Sequence, residues 1–332
     1  MHALVTGGGG FLGQTIIAQL LARGDHVRSL ARGRYPALEE LGVECVQADI
    51  RDAESVRQAA AGVDVVFHTA AIAGIWGPWA EFFGINVIGT RNIIAACRAA
   101  GVRRLVFTSS PSVTFDGAAQ EGVDESAPYP QRWLCYYPQT KAQAEQEVLT
   151  ANDSRLATCA LRPHLIWGPG DHHLIPRLIE RAKAQQLRRV GDGTNLVDMI
   201  YVDNAAHAHL QAADALAPDS AVAGNAYFLS QGEPVNCWQW IDEILALVGL
   251  PPVEKSISLK AAWRVGWLLE KIHLSLRIQS EPRMTRFLAA QLGTSHYFDI
   301  SRARRDFAYD PRISIAEGMC RLGAAMNRMP KR

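Results

Sequence analysis

The stretch Thr6-Gly7-Gly8-Gly9-Gly10-Phe11-Leu12-Gly13 follows a short apolar run, His2–Thr6, and opens an apolar, helix-length run, Phe11–Arg23. Glycines at 7, 10 and 13 permit a tight turn, close approach of a pyrophosphate, and close packing of helix on strand. The first turn of the helix then offers amide donors and a positive dipole end to the phosphates. A glycine cluster alone is equally what a flexible turn needs. Its place between a strand and a helix makes it a dinucleotide site.

Short apolar runs continue to alternate with helix-length segments. Strands are expected at His2–Thr6, His26–Leu30, Val43–Ala48, Asp64–Thr69, Arg103–Ser109 and Leu156–Leu161. Helices are expected at Phe11–Arg23, Ala53–Ala60, Trp79–Ala100 and Tyr136–Ala151. Strands buried on both faces and separated by helices predict an α/β fold, a doubly wound parallel sheet of Rossmann type with right-handed crossovers. After Pro163 the alternation loosens, and a mostly helical tail runs from Cys237 to about Gln291. The expected organisation is a cofactor-binding domain over 1–167, with 196–230 returning to it. A smaller, mostly helical substrate lobe would comprise 168–195 and 231–332.

Composition excludes other classes. The 332 residues carry 34 Lys+Arg against 33 Asp+Glu, a net charge of +1, so neither nucleic acid nor an anionic membrane has a strong electrostatic claim. The six cysteines are scattered without metal-ligand spacing, and reduced thiols are expected. The His172-His173 pair lacks a third spaced ligand and reads as surface; no metal site is expected. No run of about 20 apolar residues is free of charges and helix breakers, so no membrane span is expected. A signal-peptide pattern is absent from the first residues, and the expected address is cytoplasmic.

The end of the second strand bears on which dinucleotide binds. An acid there would hydrogen-bond the adenosine ribose and favour NAD. Here that position is Ala31, followed by Arg32-Gly33-Arg34. A guanidinium suits a 2′-phosphate, although solvated loop charges would look the same. The missing acid is the firmer half, and NADP(H) is expected with Arg32 on the phosphate. Asp49-Ile50, after the third strand, are candidates for the adenine edge.

At the other end of the sheet, Tyr137 and Lys141 stand at i and i+4 on one helix face. A nearby ammonium favours tyrosinate and is expected to lower the phenol pKa, letting Tyr137 exchange a proton with a carbonyl as hydride moves. Thr108-Ser109-Ser110-Pro111-Ser112 ends a parallel strand, where such sheets place ligands, and a hydroxyl there would orient a substrate oxygen.

In this order, these elements resemble the extended short-chain dehydrogenase/reductase family over nearly the whole chain. Thr6–Gly13 is similar to its glycine motif, which adds Phe11 and Leu12 to the cofactor contacts. Tyr137 and Lys141 are similar to its YxxxK pair, and Ser110 matches its catalytic hydroxyl. His68-Thr69-Ala70-Ala71 resembles its cofactor-side turn, implying contacts from Thr69 and Ala70. Asn86–Thr90 resembles its Asn-containing helix motif. Arg162-Pro163, Gly168–Asp171 and Asp198–Asp203 resemble its later landmarks, with Pro163 at the cofactor.

Ala73–Gly77, Ser109–Val113 and Arg162–Gly168 point within that family to its 3β-hydroxysteroid dehydrogenase-like branch, and there to bacterial reductases of long-chain olefin biosynthesis. This resemblance implies NADPH-dependent reduction of the 3-keto group of a long-chain 2-alkyl-3-oxoalkanoic acid. It also implies a homodimer through Trp79–Ala100 and Tyr136–Ala151, and assembly with other olefin-pathway enzymes. A 3β-hydroxysteroid or sterol dehydrogenase is the rival reading. A non-catalytic NADP-sensing regulator is remote, because such proteins characteristically lack the Tyr–Lys pair.

One segment stays open between three roles. In Leu259–Ile278, Trp263, Trp267 and Leu274 recur near helical spacing, with Leu268, Leu269 and Ile272 widening the stripe. It reads as a helix of the lobe core, as a lid over a greasy channel, or as a membrane contact.

Overall fold

The computed structural model describes residues 1–328; the expected lobe's last residues, 329–332, lie outside the described residues. Seven parallel strands form the central sheet: β1 (His2–Thr6), β2 (His26–Ala31), β3 (Glu44–Gln47), β4 (Val65–His68), β5 (Arg104–Thr108), β6 (Ala157–Pro163) and β7 (Asn225–Leu229). Their order is β3-β2-β1-β4-β5-β6-β7. Strand placement reverses between β1 and β4, so a crevice opens at their carboxyl ends, where such sheets bind ligands. β1 and β4 pair from Ala3 opposite Val65 to Thr6 opposite His68, which sets the glycine loop beside Thr69 and Ala70.

Both sheet faces are covered. Along β1, Ala3 and Val5 point to one face and Leu4 to the other, as the pleat requires. The first face packs on α1 (Phe11–Ala22) and α5 (Val202–Ala215), through Ile16, Leu20 and Leu210. The second packs on α2 (Ala53–Ala59), α3 (Gly89–Ala100) and α4 (Tyr136–Thr150), through Val56, Ile93 and Val148. Asp52 caps α2 by accepting from the amides of Glu54 and Ser55. α3 ends on Gly101 in the left-handed conformation, φ +71°, which a side chain would disfavour.

Beyond shifts of one residue at element ends, three features differ from the sequence reading. The helix expected over Trp79–Ala100 contains a π-helical turn, Phe83–Ile88. Asn86, on that turn, hydrogen-bonds both backbone groups of Ile72 and the Thr140 hydroxyl. Satisfying these groups holds the extra residue in place, and no 3.6-residue pattern announces it. β6 runs to Pro163 instead of ending at Leu161, pairing there with Leu229 of β7. The lobe expected to be mostly helical also holds the strands Val235–Asn236 and His296–Phe298, which form a second small sheet with Gln120–Val123 and Leu196–Val197 from the stretches expected to belong to the cofactor-binding domain. They are too short to show an alternation.

The lobe's core is aromatic, with Trp167, Trp238, Trp240 and Tyr201 buried together. α6 (Leu259–Ser275), capped by Ser258, crosses its outside. Among the described residues no helix is long and apolar enough to cross a membrane.

A buried ion pair joins α4 to β6. Arg162 donates to Glu145 at 2.6 and 3.0 Å, and the Tyr129 hydroxyl donates to the same carboxylate at 2.6 Å. Both charged side chains are almost fully buried. Removing one partner of such a pair strands the other charge and costs about 3–5 kcal/mol. Arg162→Met is therefore expected to lose stability on that scale in urea unfolding, and Glu145→Leu/Arg162→Met to regain most of it. A single-variant loss below about 1 kcal/mol, the value of an exposed pair, would show the charges solvated.

Candidate active site

The carboxyl ends of β1, β4 and β5 open into a cleft of about 760 Å³. Every residue expected at the two ends of the reaction lines this cleft. Gly7, Gly10, Phe11, Leu12, Gly13, Arg32, Asp49, Ile50, Thr69, Ala70 and Pro163 line it together with Ser110, Tyr137 and Lys141.

The glycine loop is built for close approach. A Cβ at Gly13 would lie 2.3 Å from the Gly7 carbonyl oxygen, so α1 sits directly on the loop. Gly7 itself has φ +68°. Gly10 is the N-cap of α1, makes no side-chain cap, and no acid occupies the first turn. The helix's first amides and dipole thus face the cleft uncompensated, a cradle that fits the pyrophosphate of a dinucleotide.

The adenosine end separates two arginines that look alike in the sequence. Arg34 pairs with Glu39 at 3.1 Å, while Arg32 has no ion-pair partner among the described residues. The Asp49 carboxylate accepts from Arg51 at 2.8 Å, which holds its pKa below the ordinary range. Tyr35 was not foreseen. Its ring lies over Gly9, where a Cβ would approach within 2.0 Å, and it lines the same cleft.

At the catalytic end, Ser110 caps a 3₁₀ turn, Pro111–Thr114, after β5. Its hydroxyl is 2.9 Å from that of Ser112, an unforeseen partner. Tyr137, one turn from Lys141 on α4, has its phenol beside the Ser110 hydroxyl. Lys141 donates to the Thr108 carbonyl at 2.6 Å, and its ammonium lies 4.0 Å from the centre of the Phe107 ring.

The electrostatics correct one expectation. The Tyr137 phenol is raised above its ordinary value, not lowered: burial outweighs the opposing effect of the Ser110 hydroxyl. The ammonium expected to depress it is turned to Thr108 and is itself pushed down to about 7 by burial, with the Glu145 charge acting against that shift. Glu145 extends the Tyr137–Lys141 spacing by another four residues. This i, i+4, i+8 alignment was the available signal for it.

The turn after β6 is tied down from behind. His164 hydrogen-bonds Asp198 at 2.6 Å and His296 at 3.1 Å, all three being buried. Leu165 beside it lines the cleft at φ +43°, a left-handed backbone that such anchoring sustains. His173 also lines the cleft, although the pair His172-His173 was expected only at the surface. Cys135 precedes α4, and burial pushes its thiol up to about 12, consistent with packing.

Fold and site together define an oxidoreductase of the short-chain dehydrogenase/reductase class, acting on hydroxyl or keto groups with a nicotinamide cofactor. Within that class the chain belongs to the 3-beta hydroxysteroid dehydrogenase/isomerase family, whose model matches residues 4–260. It is 52% identical over 328 residues to a 2-alkyl-3-oxoalkanoate reductase of Stenotrophomonas maltophilia, covering 98% of this chain and 99% of that one. A protein of the same name from Shewanella oneidensis is 50% identical over 98% of this chain and 86% of its own. The mouse sterol-4-alpha-carboxylate 3-dehydrogenase, decarboxylating, is 34% identical, over 98% and 91%. Among solved structures, gox2253 superposes with a TM-score of 0.78 at 25% identity, covering 98% of both chains.

The Lys141 shift makes a signed prediction. Its ordinary value is 10.5, so between about 7 and 10.5 the unfolded chain holds a proton that the folded chain does not. Stability from this group therefore rises with pH across that window. Lys141→Met abolishes the contribution. Urea unfolding of both proteins is expected to show the wild type gaining on the variant from pH 7 to pH 9. A pH-independent difference would mean the ammonium is solvated.

Proposed function

We propose that this protein is a cytoplasmic NADPH-dependent reductase of long-chain 2-alkyl-3-oxoalkanoic acids, converting the 3-keto group to a 3-hydroxyl in olefin biosynthesis. The observation that carries this reading is the near-full-length likeness to the Stenotrophomonas enzyme, well above that to the sterol dehydrogenases.

Held along the glycine loop by Gly7, Gly10, Phe11, Thr69 and Ala70, a nicotinamide cofactor would supply hydride chemistry for the keto carbon. The protein supplies the rest. Ser110 donates a hydrogen bond to the keto oxygen and so draws electron density from the carbon. Tyr137 delivers the proton that the developing alkoxide takes up. A phenol whose pKa is raised by burial keeps its proton at neutral pH, which suits the reductive direction. Lys141, one turn along the same helix face and pushed down to about 7 by burial, is the group able to reload the phenol. The preference for NADPH rests on Ala31 in place of an acid and on the guanidinium of Arg32, which carries no competing carboxylate among the described residues. The homodimer would form through α3 and α4, whose outer faces meet in a groove lined by Ile94, Ala95, Gln143 and Glu147. Assembly with other olefin-pathway enzymes is part of the same reading.

The deciding assay follows NADPH oxidation with a long-chain 2-alkyl-3-keto acid, a 3-ketosteroid and a UDP-sugar. Turnover of the keto acid is expected; turnover of the steroid alone would favour the sterol dehydrogenase reading. Tyr137→Phe is expected to lower kcat by about 10²-fold or more with NADPH affinity unchanged. Parallel loss of both would assign the tyrosine a structural role. Arg32→Ala is expected to weaken NADPH by roughly tenfold or more while sparing NADH. An unchanged preference measured by fluorescence titration would remove Arg32 from the phosphate site.

A further inference from the structure

Nine large apolar side chains are exposed among the described residues, and six of them lie between 265 and 276: Val265, Trp267, Leu268, Ile272, Leu274 and Leu276. Trp267 and Leu268 are 48% and 52% exposed. A concentration of this kind on one segment marks an interaction surface, whereas isolated exposed leucines do not.

The inner face of α6 keeps the apolar residues outside. A Cβ at Gly266 would lie 2.6 Å from the carbonyl carbon of Thr285, so helix and neighbouring backbone are in close contact. Glu270, buried, accepts from the Arg286 amide and guanidinium at 2.6 and 2.7 Å. Trp263 packs with Phe115 and Phe287. Turning Trp267 and Leu268 inward would break all three. No residue of α6 lines the cleft, so the exposed face is neither lobe core nor channel wall.

Charge indicates what covers it. Lys260, Arg264 and Lys271 stand on the same exposed side, and Arg277 follows the helix. The helix's only acid is Glu270, which is buried and paired. Between Lys255 and Arg286 there are seven Lys or Arg and two Glu, and the second, Glu281, is bonded by Arg177. Trp, Leu and Ile beside Lys and Arg, with no exposed acid, is the chemistry of a helix lying in the headgroup layer of an anionic bilayer. A two-fold contact between copies through this face would set the cations of one copy against those of the other.

We propose that α6 docks this protein on the surface of an anionic phospholipid membrane. The C-terminal end of α6 contacts a segment that borders the cleft. His273 meets the edge of Trp76 at 5.8 Å between ring centres, and the Trp76 indole N–H donates to the Ile278 carbonyl at 3.4 Å. Trp76 belongs to the Ala73–Trp79 segment, whose Ala73 lines the cleft. Resting on the reductase reading for its substrate, docking would let a long-chain acid pass from the bilayer to the cleft without crossing water.

Flotation of the purified full chain with phosphatidylglycerol/phosphatidylcholine vesicles, and with phosphatidylcholine alone, tests this. Binding is expected only to the anionic vesicles and is expected to weaken as salt rises. Trp267→Glu/Leu268→Glu and Arg264→Glu/Lys271→Glu are each expected to lower partitioning by roughly tenfold or more. Both should retain wild-type turnover of a short, water-soluble β-keto acid. Tryptophan emission should shift to the blue on binding in the wild type and much less in Trp267→Phe. Absence of vesicle binding, or binding that the variants leave unchanged, overturns the proposal. So does a wild-type dimer that the same substitutions dissociate, because the face would then join two copies. Vesicle binding without keto-acid turnover would retain the docking and discard the substrate reading.

Discussion

Glu145 is a carboxylate in the interior, and much of the active site depends on how its charge is met. Arg162, reaching from β6, neutralises it, and Tyr129 fills a further acceptor position. An interior carboxylate left alone would take up a proton or force the helix outward. With Arg162 in place, α4 stays against the sheet, and that fixes the depth at which Tyr137 and Lys141 enter the cleft. Lys141 then hydrogen-bonds the carbonyl of Thr108 at the end of β5, two residues before Ser110. One buried pair thus coordinates three elements and the hydroxyls of Ser110 and Tyr137.

Burial at this point acts on both titratable groups, in opposite directions. It raises the phenol and lowers the ammonium, because the uncharged form of each is preferred away from water. The two values, nearly equal for ordinary side chains, are thereby drawn apart, and the ammonium becomes the stronger acid. Proton transfer from the ammonium to a tyrosinate therefore runs downhill and restores the neutral phenol, whereas transfer from phenol to amine runs uphill. Glu145 limits the effect at Lys141 by favouring its charged form. Tyr137 therefore presents a neutral phenol to the cleft, beside Ser110.

The lobe follows a different logic. Its core is dense with tryptophan, and the indole nitrogens of Trp167, Trp238 and Trp240 find no partner among the described residues. Apolar area outweighs those unmet donors. Having spent its aromatic side chains inside, the lobe still leaves Trp267 and five aliphatic residues outside on one helix and its end. The near-neutral charge of the whole chain conceals this region, since its cations are balanced by acids elsewhere in the sequence.

Local chemistry alone determined the first half of this protein. The glycines of Thr6–Gly13, the alternation of apolar runs with helices, and the spacing of Tyr137 and Lys141 each act over a few residues, so sequence order suffices to read them. What tertiary structure decided is whatever depends on residues distant in the chain. The π-turn at Asn86 answers to Ile72 and Thr140. That Arg34 is paired while Arg32 is not was decided by Glu39. The direction of the Tyr137 shift was set by burial, a property of the packed molecule and not of the Tyr–Lys spacing. In α6 the sequence shows that apolar residues recur at helical spacing, but which of them face inward was decided by Gly266 and Glu270 meeting Thr285 and Arg286. A helix buries the side that finds a complementary neighbour, and that neighbour lies beyond the helix itself.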